Sequence, residues 1–513
     1  MKTTTIEYIK KLAEKEITDA EKKKAKEFLQ NNKVVVFIVA YNAERHLEQV
    51  INRIPEDIAP LFTEILIIDD SSTDATYEIG KKIMSKFPAY KIHTYRTPFN
   101  RGYGGNQKLG YLYCIKKNYD YVILLHGDGQ YAPEYLPKIL SAFDNETDAV
   151  FASRMLNKKQ ALAGGMPLYK WFGNQVLTFI ENKLLNLSLS EFHTGYRAYR
   201  VNSLKEIPFQ YNSNNFHFDT EIIIQAKAAN WKIKEISLPA YYGDEICRVD
   251  GLKYAINCIK SIFRFYLVRC GIYYKRNYDI GFFEEERFYF KQSPFSLHQF
   301  ILEEFNDKKD SVIIELGANF GLLSNEIAKR VKEHYAVDNQ IPMKAGNSIK
   351  LAFDLNTDFS EKINKKFDYC IALDVIHKLV YPRNFLQLIF NLLKIKGKAY
   401  ISTANIGFLP MRISLLFGQF NYSKRGILDM RHKRLFTIKS LKNLIEQYNY
   451  RVDNVIGFPP PLTDMILNNT FFKLCEMILA ILARKFPSLF SYNFLIIATR
   501  LDSEEDILEK TIQ

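Results

Sequence analysis

No apolar run in this 513-residue chain reaches the roughly 18–20 residues that a bilayer-spanning helix needs. The longest stretches, around residues 471–483 and 256–268, are both broken by charge. The six cysteines are scattered without a C-x-x-C pair, which argues against a disulfide framework and against a zinc site, and suits a reducing cytoplasm. Residues 1–30 lack the pattern of a secretory leader; rich in Lys and Glu, they read as an amphipathic helix. No Gly/Ser linker and no internal repeat stand out. With 47% hydrophobic and 25% charged residues, the chain is not a disordered polymer, a collagen or a coiled-coil rod. A globular chain of this length holds three to four ordinary domains or two large ones.

Seventy Lys and Arg against 57 Asp and Glu leave a net charge of +13. Such an excess can serve nucleic acid, an anionic membrane surface or an anionic substrate, or it can be a Lys-heavy surface with no specific partner.

Two stretches alternate buried-strand and helix patterns, the rhythm of α/β domains with parallel sheets. The first opens on the β-branched run at 33–42, followed by a helix over 44–53, a strand over 64–68, a helix over 73–87, a helix from about 105 and a strand over 121–125. The second opens at 311–315. It continues with a helix over 322–330, strands near 335 and over 369–373, a helix over 382–393, a strand over 398–402 and a last strand over 492–498. The expected organisation is an N-terminal helix (1–30), a first α/β domain (31–250), a basic aromatic helical connector (251–295) and a second α/β domain (296–505).

Open parallel sheets bind ligands at the carboxyl ends of their strands. In the first domain three strands end in polar residues: Tyr41-Asn42-Ala43-Glu44, Asp69-Asp70-Ser71-Ser72-Thr73-Asp74 and His126-Gly127-Asp128-Gly129-Gln130. Helix capping or a tight turn explains each one singly, but not three in succession. Together with Ala152-Ser153-Arg154, these motifs resemble, in order, those of family 2 glycosyltransferases with the GT-A fold. The likeness is to dolichol-phosphate mannose synthases and runs from about Val34 to Lys253.

The resemblance implies a UDP- or GDP-sugar donor, with Ala40, Tyr41, Glu44, Asp69 and Asp70 on the nucleotide side. It also implies Mg²⁺ or Mn²⁺ held against the diphosphate by Asp128 and assisted by Gln130. Two residues depart from the pattern: His126 replaces the first Asp of D-x-D, and Ala43 a frequent Glu. Glu191-Phe-His-Thr-Gly-Tyr-Arg197 matches an acceptor-side segment. For a hydroxyl acceptor, such as a glycan, Glu191, Asp219 and Glu221 are base candidates. For a polyprenyl-phosphate acceptor no base is needed, and Arg154, Arg197 and Arg248 would orient it.

In the second domain Glu315-Leu-Gly317-Ala-Asn319-Phe-Gly321 lies between a strand and a helix, where glycines let backbone approach a ligand. Asp338, Asp354 and Asp374 with His377 follow the next strands. The order resembles class I S-adenosylmethionine-dependent methyltransferases with a Rossmann-like fold. So do Ser402-Thr-Ala-Asn405, Gly426-Ile-Leu-Asp429, Arg431-His432 and Arg434-Leu-Phe-Thr437. The resemblance implies that Glu315, Gly317 and Gly321 cradle the methionine part of S-adenosylmethionine, Asp338 its ribose and Asp354 its adenine edge. Asp374 completes the cofactor side, and His377 and His432 are base candidates.

The expected function is therefore a bifunctional enzyme that transfers a sugar in cell-surface glycan synthesis and methylates a small molecule or glycan. The alternative is one catalytic domain beside a silent ligand-binding module, which His126 and Asn319 would fit. A nucleic-acid methyltransferase is disfavoured. Where an amino-methylating DNA enzyme carries Asn/Asp-Pro-Pro-aromatic, this chain reads Leu373-Asp-Val-Ile-His377. A cytoplasmic protein visiting the inner membrane face suits the segment from Lys253 to Arg276, whose cations alternate with aromatics; an inter-domain packing helix is its other reading.

Overall fold

The computed structural model describes residues 3–239, 250–280, 293–341, 344–466, 468–503, 506–507 and 511, with side chains omitted at 3–5 and 163. The chain divides into two compact units, Met1–Phe265 with Lys275–Gly281, and Tyr266–Tyr274 with Phe282–Gln513.

The first unit is an α/β fold built on one seven-stranded mixed sheet. Its strands are β1 (Val34–Ala40), β2 (Glu64–Asp69), β3 (Ile92–Arg96), β4 (Tyr121–His126), β5 (Ala149–Ser153), β6 (Arg197–Arg200) and β7 (Ile233–Ser237), in the order β3-β2-β1-β4-β6-β5-β7. β1 to β4 run parallel, whereas β6 lies antiparallel between β4 and β5. The apolar runs of β1, β2 and β4 fill the centre because a strand covered on both faces must be hydrophobic throughout. Register does the functional work: Val39 pairs with Ile68 on one side and His126 on the other. The three polar loops that follow these strands therefore leave the sheet at one level, on one edge.

The N-terminal segment forms two helices, Thr3–Glu16 and Asp19–Asn31, where one was expected. Thr18 interrupts it: its hydroxyl accepts the Glu21 N–H and the Glu21 carboxylate accepts the Thr18 N–H, a capping box that starts a new helix.

The second unit is a Rossmann-like sheet of β8 (Val312–Leu316), β9 (Glu333–Asp338), β10 (Ile349–Ala352), β11 (Phe367–Ala372), β12 (Leu393–Ala404), β13 (Tyr450–Phe458) and β14 (Asn493–Arg500), in the order β10-β9-β8-β11-β12-β14-β13. β8 to β12 are parallel; β14 runs antiparallel between β12 and β13. Among the described residues the five cysteines are free, and no helix is long and apolar enough to cross a membrane.

Candidate active sites

In the first unit the loops after β1 and β2 are tied to each other. Asn42, in the left-handed region at φ 51°, donates its N–H to Ser72 Oγ (2.8 Å) and accepts the Thr73 N–H (3.0 Å). The Glu44 carboxylate accepts the Ala75 N–H (3.1 Å). Ala40 is buried and Tyr41 is exposed at the rim. Asp69 is fully buried and accepts from Ser72. Asp70 accepts the Arg101 and Gly102 N–H groups, each at 2.8 Å, at the start of helix Tyr103–Lys116; burial raises its pKa.

The turn after β4 presents Asp128 half-buried. Its Oδ1 accepts the Gln130 N–H (3.0 Å), and among the described residues Oδ2 has no partner. The turn is braced from below by Arg53, which pairs in bidentate fashion with Glu134 (2.8 and 3.0 Å) and donates to the Gly129 carbonyl (3.2 Å). From Asp128 a polar and aromatic wall continues. The His126 ring lies edge-on to Tyr131 (4.8 Å between centroids) and its Nε2 is 3.4 Å from Tyr103 Oη; Tyr103 donates to Asp219 (2.9 Å). Tyr131 Oη accepts the Gly195 N–H (2.6 Å), and the Arg154 guanidinium lies over its ring. Burial lowers the His126 pKa, so the imidazole is neutral at pH 7.

Several sequence candidates hold positions that preclude direct chemistry. Glu191 is fully buried; burial would raise its pKa, but Arg154 binds it through side chain and backbone and holds the carboxyl below its usual range. It is a fixed counterion, not a base. Glu221 is also enclosed, accepting the Ser213 N–H (2.6 Å) with Lys275 at 3.4 Å. Arg197 has no exposed surface. It donates to the carbonyls of Thr194, Asp219 and Phe192 (2.7–3.0 Å), so it cannot reach an acceptor phosphate. Asp219 alone among the three carboxylates touches the wall around His126. Arg248 lies outside the described residues.

No group of three His, Cys, Asp or Glu among the described residues forms a closed metal nest. Asp128 with its open oxygen, neutral His126 and Gln130 instead suit an ion whose remaining ligands come from a diphosphate, the usual habit of Mg²⁺.

The second unit has a cleft of about 250 Å³ at the carboxyl edge of its sheet, lined by the 317–320 loop, Asp374, His377, Lys378, Asp429 and His432, among others. Gly317 (φ +87°) and Gly321 (φ +83°) are left-handed, and Asn319 sits between them at φ 48°, so the Asn that replaces a Gly keeps the loop's shape. Asp338, half-exposed at the end of β9, accepts the Asn319 N–H of that loop (2.8 Å). Asp354 is exposed beyond β10 and accepts the Asn356 N–H. Asp374, also left-handed at φ 54°, donates its N–H to Ser402 Oγ (2.9 Å). The His377 and His432 rings meet at 4.0 Å; His377 Nδ1 is 2.8 Å from Thr403 Oγ1, and burial lowers both pKa values. Lys378 and Asp429, which were not assigned from sequence, enter because they neighbour the two histidines. Tyr103, Tyr131 and Arg53 in the first unit carried no sequence signal beyond proximity to Gly102 and Gln130, and in the case of Arg53 none at all.

Glu315 is 4% exposed, and burial pushes its pKa up to about 7 against the Ser324 hydroxyl that it accepts; the buried His334 Nε2 is 3.5 Å away. A raised carboxyl pKa stabilises the fold fully below the unfolded value near 4.5, and that contribution is lost as pH rises to about 7. Complete loss costs about 3 kcal/mol. Between pH 5 and pH 8 the parent is thus expected to lose melting temperature relative to Glu315→Gln, while the buried His334, His377 and His432, whose lowered pKa values act in the opposite direction, contribute equally to both proteins. Equal pH slopes for parent and variant in calorimetry would contradict the assignment.

Residues 35–208 match the family model described as Glycosyl transferase family 2, and residues 283–455 one described as Methyltransferase domain. The UDP-N-acetylglucosamine–dolichyl-phosphate N-acetylglucosaminyltransferase of Methanococcus voltae is 26% identical over 249 residues, covering 46% of this chain and 96% of the relative. An undecaprenyl-phosphate mannosyltransferase of Micrococcus luteus is 24% identical over 209 residues, covering 40% and 82%. The crystal structure of an S-adenosylmethionine-dependent methyltransferase from Mesorhizobium loti aligns at TM-score 0.28 and 13% identity, covering 40% of this chain and 98% of that one.

Proposed function

We propose that this chain, a transferase joining a glycosyl transferase family 2 domain to a methyltransferase domain, moves a sugar from a nucleotide sugar onto a polyprenyl phosphate and methylates a small molecule or glycan with S-adenosylmethionine. One observation carries the choice of acceptor: two of the three carboxylates suited to deprotonating a hydroxyl, Glu191 and Glu221, are sealed into buried hydrogen bonds. The third, Asp219, already accepts from Tyr103 and Gln107. An ionised phosphate is its own nucleophile and needs none of them. The two relatives, named for transfer to dolichyl phosphate and to undecaprenyl phosphate, support the same class.

On this reading Asp128, with His126 and Gln130, would hold Mg²⁺ or Mn²⁺ against the donor diphosphate, where the cation neutralises charge developing on the leaving group. Asp69 and Asp70 fix the loop on the nucleotide side. Arg154, held in place by Glu191, and Arg248 supply positive charge for the acceptor. Helix Gly251–Arg269 turns Leu252, Ile256 and Phe263 outward beside the exposed Lys253, Lys260 and Arg264, which supports a peripheral place on an anionic membrane face.

In the second unit Glu315, Gly317 and Gly321 would cradle the methionine part of S-adenosylmethionine, a sulfonium that delivers its methyl group to an aligned nucleophile. Asp338 would grip the ribose, Asp354 the adenine edge, and Asp374 would complete the cofactor side. His377 or His432, neutral at pH 7, would take the proton of a hydroxyl acceptor.

The test offers undecaprenyl phosphate and labelled UDP- or GDP-sugars with Mg²⁺ or Mn²⁺, and follows label into the lipid phase. Incorporation is expected with one donor. Label on a free glycan hydroxyl, with none in the lipid, would overturn the acceptor reading.

A further inference from the structure

Helix Thr470–Lys485 of the second unit is amphipathic the wrong way round for a helix packed on its own domain. Its inward side carries Glu476, Ala480 and Ala483, all buried. Its outward side carries Phe471, Leu474, Ile478 and Ile481, 49–66% exposed and recurring at intervals of three and four, with Met477 beside them and Phe486 at the end. The inward placement is built, not incidental. Glu476 accepts the Thr463 N–H (2.9 Å) and hydroxyl (2.8 Å) and the Ser293 hydroxyl, which fixes the helix's rotation. The large apolar side chains are thereby held in solvent.

The exposed charges on the helix itself are of one sign. Lys473 lies near its start and Arg484 and Lys485 at its end, and the single acid of the helix is the inward Glu476. A second exposed apolar group, Ile413, Leu415, Leu416 and Phe417 at the end of helix Leu409–Leu416, is joined to the same region, since Arg412 donates to the Ser488 carbonyl (3.3 Å). Residues 409–425 contain Arg412, Lys424 and Arg425 and no acid.

We infer that this face of the methyltransferase unit seats on an anionic lipid surface. Sixteen residues span about 24 Å, less than the roughly 30 Å hydrocarbon core, so the helix lies in the interface plane with its apolar face down and its cations at the headgroups. A cation-only rim suits phosphatidylglycerol-type headgroups better than a second copy of the same face, which would bring Lys473, Arg484 and Lys485 against their own kind. Thr463 belongs to the short helix Leu462–Met465, which with Pro461 supplies Met465 to the wall of the methyltransferase cleft. The docked helix therefore adjoins the cleft, which places a lipid-borne methyl acceptor within its reach. The inference rests on this unit's surface alone and stands whichever sugar or acceptor the other unit uses.

The experiment uses the full chain and vesicles of phosphatidylcholine with 30% phosphatidylglycerol. The parent and Ile478→Trp are compared by difference emission, which reads position 478 even if helix Gly251–Arg269 also binds. A blue shift with vesicles, quenched by brominated lipid, is expected. The triple variant Lys473→Gln/Arg484→Gln/Lys485→Gln is expected to bind these vesicles about a hundredfold more weakly, since each cation near an anionic surface contributes about fivefold. All three side chains are exposed, so folding is not at stake. Unchanged emission on bound vesicles would overturn the inference. So would a blue shift that grows with protein concentration in the absence of lipid, which would assign the stripe to a second copy.

Discussion

Asp128→Ala is expected to lower sugar transfer by about 10²–10³-fold, the usual loss when one group aimed at developing charge is removed. Asp128 is the one carboxylate on the turn after β4, and its second oxygen has no partner among the described residues. With His126 in place of a second carboxylate and neutral at pH 7, no other anion on this turn can take over. Asp128 is half-buried and makes only one hydrogen bond, to the Gln130 N–H, so the fold is expected to survive its removal, and an unchanged melting temperature checks that. S-adenosylmethionine binding, followed in calorimetry, is expected to stay at the parent value. Transfer within threefold of the parent would remove Asp128 from the metal site.

Gly321→Ala is expected to cost the second unit about 3 kcal/mol and to weaken S-adenosylmethionine binding at least about tenfold. Two effects add. A side chain at φ +83° enters the left-handed region, which costs about 1–2 kcal/mol. Its Cβ would also lie 2.6 Å from the Ala345 Cα and N, backbone atoms that cannot rotate away, and such overpacking costs about 1–3 kcal/mol. Yielding would move the turn that begins helix Leu322–Ala328 and with it the loop lining the cleft. A variant that melts and binds as the parent does would mean that this loop does not shape the cofactor site.

The sequence disclosed the strands whose two faces are both covered. β1, β2, β4 and β8 are near-continuous apolar runs, and β11 is one from Tyr369 on, because little else can lie between two helical layers. The strands not expected from the sequence are β3, β7 and β13, which are edges, and β5 and β6, which lie inside the first sheet but run only five and four residues. β3 reads Ile-His-Thr-Tyr-Arg with only Ile92 and Thr94 buried, and β13 mixes exposed and half-covered positions without regular alternation, so neither stands out from a loop. The carboxylates of the site were visible because they end central strands. Whether each one faces a ligand was not visible, because that depends on partners far along the chain: Arg154 closes Glu191 from 37 residues away, and the Asp219 carbonyl, 22 residues on, helps to enclose Arg197. Arg53 was silent for the same reason. Nothing near it in sequence hints at Gly129 or Glu134.

If the Asp128 turn anchors the donor as proposed, that brace has a consequence for donor choice. With Gly129 and Glu134 both gripped by Arg53, the Asp128 turn is set before any ligand arrives. A preset turn saves the ordering cost of binding, but it also gives up discrimination by closure, since right and wrong nucleotides meet the same rigid anchor. Choice among donors must then reside in the walls beyond the anchor: the aromatic ring of Tyr103, His126 and Tyr131, and the cross-tied loops after β1 and β2.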